Sequence, residues 1–150
     1  MIISELILII SLIIIFIVAC IDFNTFKIPN WSILILIIFG YAYIYFTNQN
    51  IIHFIFVFLF LISLGFALFV FKIWGAGDAK LMASSILFVD LENIYYFVMG
   101  AFICAFTWAL IFALCKSIKN LKRSTKSFFK TKIPFAPGIF SSLVLIKIFC

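Results

Sequence analysis

Two aspartates, Asp22 and Asp78, are the residues of this sequence whose type and setting can do chemistry. Asp22 closes the first long apolar run, and Asp78 follows the glycine pair of Gly75-Ala76-Gly77. Two carboxylates held close together cannot both ionise cheaply, so they share one proton and titrate as a unit. One then acts as base on a water while its protonated partner hydrogen-bonds and polarises a scissile carbonyl. That division of labour hydrolyses a peptide bond with no covalent intermediate. Neither a metal nor a cofactor is expected.

The surroundings suit this use. Gly75 and Gly77 have no Cβ, so the backbone can bend tightly and a substrate strand can approach closely. Non-helical backbone at membrane depth is tolerated only where protein or a wet cavity covers it. An ionisable residue at a membrane boundary faces such an interior. The plainer readings are that Asp78 caps a helix start and that Asp22 only terminates a span. Two acids at one depth favour the catalytic reading.

Further candidates flank each acid. Pro29 restricts Ile28 to an extended conformation and suits the first turn of the next helix. Asn30 either hydrogen-bonds the loop or substrate, or serves as a helix-start cap. Lys80 lies two residues past Asp78, about 200° around a helix, and is expected to anchor at the headgroups rather than to tune Asp78. Pro134 and Pro137 break or kink the start of the last run; they line a substrate groove or mark a helix start.

The elements that must position these residues follow from composition. Of 150 residues, 67% are hydrophobic and 11% charged, with 22 phenylalanines. A water-soluble fold of this size leaves too much of its surface exposed to hide so much apolar area, so lipid is the solvent for most of the chain. Six apolar runs are predicted as spans of an all-α membrane protein: 2–21, 31–46, 51–71, 79–89, 94–115 and 133–150. A span takes about 20 residues, fewer where the bilayer thins. The first run lacks a positive n-region and a small-residue cleavage site, so it is read as a span and not a signal peptide. The chain is expected to form one domain over 1–150.

Charge sets the expected orientation. With the N-terminus outside, Lys27, Lys72, Lys80 and the seven basic residues of the 116–132 loop lie on the cytoplasmic side, against Lys147 alone outside. This is a positive-inside pattern. The net charge of +6 is therefore read as a topology and lipid signal, with no nucleic-acid partner. Glu5, Asp90 and Glu92 fall outside, leaving Asp22 and Asp78 as the only acids at the inner face. His53 also falls on the outer side and is read as interfacial. Cys20, Cys104, Cys115 and Cys150 form no C-x-x-C pair and are read as buried apolar residues rather than zinc ligands or a disulfide framework.

The chain resembles the type IV prepilin peptidases at three places. Asp22 with Lys27-Ile28-Pro29-Asn30-Trp31 resembles their first aspartate motif, and Gly75-Ala76-Gly77-Asp78-Ala79-Lys80-Leu81 their Gly-x-Gly-Asp-x-Lys-Leu motif. Ile133-Pro134-Phe135-Ala136-Pro137-Gly138 resembles the segment that opens their last span. The resemblance implies a multi-pass aspartyl protease of the cell membrane, with Asp22 and Asp78 as catalytic pair. Its substrate would be a prepilin or pilin-like precursor, cut at the cytoplasmic face to remove a short basic leader. Longer members carry a cytoplasmic insert and methylate the new N-terminus. This sequence resembles the short, peptidase-only branch of tight-adherence (Flp-type) pili, so no methyltransferase activity is expected.

Three other readings compete. A presenilin-like protease shares Gly-x-Gly-Asp but pairs it with Tyr-Asp, where this chain has Ile21-Asp22. A small proton- or ion-coupled carrier also uses intramembrane acids and glycine-broken helices, although carriers place them at the midplane. A pilus-assembly scaffold would use the acids only to pair with partner subunits.

Overall fold

The computed structural model describes residues 2–71, 74–120 and 135–149, with backbone alone at 112, 113 and 115–120. Six α-helices follow one another: α1 (Ile2–Thr25), α2 (Asn30–Phe46), α3 (Ile51–Val70), α4 (Ala76–Ser85), α5 (Ile94–Asn120) and α6 (Ala136–Phe149). Two 3-10 turns, Ile86–Phe88 and Leu91–Asn93, lie between α4 and α5, and no strand occurs among the described residues. The stretches Ile2–Thr25, Ile51–Val70 and Leu91–Ile111 are long and apolar enough to cross a membrane, while α2 and α6 are apolar but shorter. In lipid a helix alone satisfies every backbone polar group within one segment, which is why so apolar a chain folds this way.

Several boundaries depart from those expected. α1 runs past Asp22 to Thr25. Its polar end is helical because Asn24 and Thr25 donate back to the carbonyls of Cys20 and Ile21, at 2.8 and 2.9 Å. The helix closes at Phe26, which takes a left-handed φ of 52° and donates its N–H to the Asp22 carbonyl at 2.9 Å. A non-glycine residue there carries a cost of about 1–2 kcal/mol. α4 begins at Ala76 rather than after Asp78, and its last residue is Ser85. α5 continues to Asn120, into the basic segment. The rest of that segment, with Lys72 and Pro134, lies outside the described residues.

The short helix α4 forms the centre of the bundle, packed by α2, α3 and α6. Leu81, Met82, Ile86 and Phe88 of this region join Ile15 and Val18 of α1, Leu36 of α2, Phe97 of α5 and Ile139 and Leu143 of α6 in one core. Helices in lipid gain little hydrophobic drive from one another, so small residues let them approach closely. Gly65 of α3 faces Ala79, and a Cβ on Gly40 of α2 would meet the Leu87 side chain at 2.5 Å. Between α5 and α6, a Cβ on Gly138 would lie 2.7 Å from the Ala105 backbone. Higher on that interface Ser142 Oγ donates to the Phe97 carbonyl at 3.0 Å.

The opposite end of the bundle carries a polar cluster. Lys147 of α6 pairs with Asp90 at 3.3 Å and donates to the Tyr43 hydroxyl at 3.0 Å. Gln49 donates to the other Asp90 oxygen at 2.6 Å. Two cysteines do not match the buried reading, Cys20 being exposed on the bundle surface and Cys104 half-buried; the side chains of Cys115 and Cys150 lie outside the described residues. On a surface facing lipid an apolar thiol needs no burial. His53 is exposed on α3.

Candidate active site

Asp22 sits in the last turn of α1 and is only 4% exposed. Its Oδ2 accepts the backbone N–H of Ala136 at 3.1 Å, and the Phe135 N–H also bonds the carboxylate. These are the free donors at the start of α6, which has no partner of its own for them. Pro137 is the next residue and has no N–H to offer. The positive end of the α6 dipole adds to the attraction for a carboxylate. The third sequence motif therefore closes over the first acid.

Asp78 is the third residue of α4, and Gly75 is the N-cap, extended at φ −78° and ψ 139°. Asp78 is thus not the cap that its plainer reading suggested. Its carboxylate folds back to the Gly75 N–H, the reciprocal half of a capping box. That fold leaves no room above Gly75, where a Cβ would sit 2.6 Å from Asp78 Oδ2. The requirement at Gly75 is space for the acid, because its φ suits any residue. Gly77 has a different neighbour: a Cβ there would meet Ile28 Cβ at 3.2 Å. Ile28 and Gly77 thereby bring the loop after Asp22 against the turn that carries Asp78.

One cavity of about 1160 Å³ is lined by both acids. Phe26, Lys27, Ile28 and Asn30 contribute from the α1–α2 connection, and Trp74 to Gly77 with Lys80 from the approach to α4. Phe102, Ala105, Phe106 and Ala109 of α5, with Phe135, form an apolar wall. Pro29, not Asn30, is the N-cap of α2, and Asn30 is the first helical residue. Asn30 is exposed and turned to the cavity. Lys80 is exposed and also lines the cavity. Pro137 is buried in the first turn of α6 and is not among the residues that line the cavity. Pro134 lies outside the described residues.

Three participants escaped the sequence reading. The backbone N–H groups of Phe135 and Ala136 hold Asp22, and Trp74 packs beside them, its ring 5.1 Å from that of Phe135. A backbone donor leaves no side-chain signature. Trp74 stands directly before the glycine motif and was the one signal to be had. Among the described residues no three or more His, Cys, Asp or Glu side chains gather as metal ligands. What the cavity offers chemically is a pair of carboxylates, two flanking lysines and an aromatic wall.

The type IV leader peptidase family model matches residues 7–110, a stretch that carries both acids and the first two motifs. No curated protein and no solved structure matches the chain.

Proposed function

Because the chain belongs to the type IV leader peptidase family, we propose that it is a membrane aspartyl endopeptidase in which Asp22 and Asp78 jointly activate a water. The observation that carries this reading is that both acids line one cavity while each is held by backbone N–H groups at a helix start. The carboxylates share one proton. The ionised member takes a proton from water, and the protonated member donates to the carbonyl oxygen of the scissile bond. Water adds to the carbonyl carbon, and the tetrahedral diol collapses as the pair returns a proton to the departing amine. No metal or cofactor enters this sequence.

The substrate is a type IV pilin-like precursor whose short basic leader precedes an apolar helix. The aromatic wall of Phe102, Phe106 and Phe135 suits the apolar segment beyond the cut. The positive-inside pattern of the sequence supports a multi-pass protein of the cell membrane with this end of the bundle at the cytoplasmic face. Methyl transfer is not part of the activity. The test is cleavage of a purified precursor by the protein in detergent. One cut before the apolar helix, lost in Asp22→Asn and in Asp78→Asn, supports the assignment; near-normal activity in either variant overturns it.

A further inference from the structure

We propose that the ring contact between Trp74 and Phe135 is a clasp that fixes the spacing of the two acids, which makes Trp74 a positioning residue of the peptidase. This rests on the reading of Asp22 and Asp78 as the working pair. The connection is short at both ends. Trp74 directly precedes Gly75, whose N–H holds Asp78. Phe135 directly precedes Ala136, whose N–H holds Asp22 at 3.1 Å. Between them the two rings meet edge to face, with centroids 5.1 Å apart and planes at 78°. Phe102 of α5 closes the trio, 5.6 Å from Trp74 and 6.1 Å from Phe135. Trp74 is tied back to α3 as well, its N–H donating to the Leu68 carbonyl at 3.4 Å.

The described contacts of the Trp74 side chain are made by its ring: Nε1 has no hydrogen-bond partner among the described residues, while the ring packs on Phe135 and Phe102. Edge-to-face packing of this kind has a defined geometry, so it transmits position from one backbone anchor to the other.

The experiment compares Trp74→Phe, which keeps a ring and removes the idle donor, with Trp74→Ala. Cleavage of the precursor is followed for kcat and KM. In Trp74→Ala, kcat is expected to fall about 100-fold, the loss typical of an ångström-scale misplacement, with KM little changed. In Trp74→Phe, kcat is expected to stay within about threefold because the edge contact survives. Phe135→Leu, which keeps apolar bulk without a ring, should lose kcat as Trp74→Ala does. A second readout needs no substrate. Spin labels at the exposed positions Thr25 and Ala76, in a background without the native cysteines, report the spacing of the two segments. The distance distribution should be narrow with the native Trp74 and in Trp74→Phe, and broad in Trp74→Ala. Equal impairment of Trp74→Phe and Trp74→Ala would overturn the clasp, as would an unchanged distribution in Trp74→Ala. A wild-type protein that cuts no precursor sinks the functional reading instead, and the spin-label distances still decide the clasp.

Discussion

Asp22 and Ala136 lie 114 positions apart along the chain, yet the carboxylate of one accepts the backbone N–H of the other at 3.1 Å. This single bond makes the first candidate acid a structural partner of α6. It predicts that substitutions of Asp22 separate by shape. Asp22→Asn retains an oxygen for the Ala136 N–H and should keep the fold while losing about 10²–10⁴ in kcat. Asp22→Ala leaves the donor buried and unpaired, and should further reduce stability by about 1–3 kcal/mol. Denaturant unfolding in detergent, run beside the cleavage assay, checks both.

Gly75→Ala should damage activity more than stability. The new Cβ would lie 2.6 Å from Asp78 Oδ2, so the carboxylate must turn away from the Gly75 N–H. The backbone at φ −78° accepts alanine without strain. A loss in kcat of about 10²-fold is expected for a displacement of this order. Gly77→Ala should be milder, because Ile28 Cβ at 3.2 Å need yield by only a few tenths of an ångström. Parallel kinetics of the two variants provide the check.

Gly138→Ala should act through packing. Its Cβ would meet the Ala105 backbone at 2.7 Å, and backbone cannot swing aside. α5 and α6 must separate, at about 1–3 kcal/mol, and the start of α6 would shift with its hold on Asp22. A lowered melting temperature together with reduced kcat is the expected pair of results.

The rate should depend on pH as a bell. A working pair needs one carboxylate ionised and one protonated, so activity falls both when a second proton binds and when the shared proton leaves. The same mechanism predicts that prolonged treatment with a chelator leaves kcat unchanged. A chelator-sensitive enzyme restored by a divalent cation would contradict the metal-free mechanism.

Lys147→Met, at the far end, should leave kcat intact. The Lys147–Asp90 pair is partly exposed at 3.3 Å, and such pairs contribute about 0–1 kcal/mol. A small drop in melting temperature at unchanged kcat is the expected outcome.

The chain's helical class and the location of its acids were legible because apolar runs and Gly-x-Gly-Asp are local signals. Helix ends were less so. Asn24 and Thr25 read as loop, yet their side chains bond back to α1 carbonyls and prolong it. Asp78 read as a possible cap, yet Gly75 takes that place and the acid reaches back to it. The hold of Phe135 and Ala136 on Asp22 was out of reach, since backbone donors look alike in any sequence and the pairing spans most of the chain. Proline and asparagine in Pro29-Asn30 correctly marked the start of α2, but with their roles exchanged.

α6 is tethered at both ends, by Asp22 at its first residue and by Asp90 through Lys147 about 16 Å further along its axis. Sliding α6 lengthwise breaks one tether or the other. Asp22 is thus the bolted side of the site, and the ring contact between Trp74 and Phe135 carries that fixity across to the turn that bears Asp78.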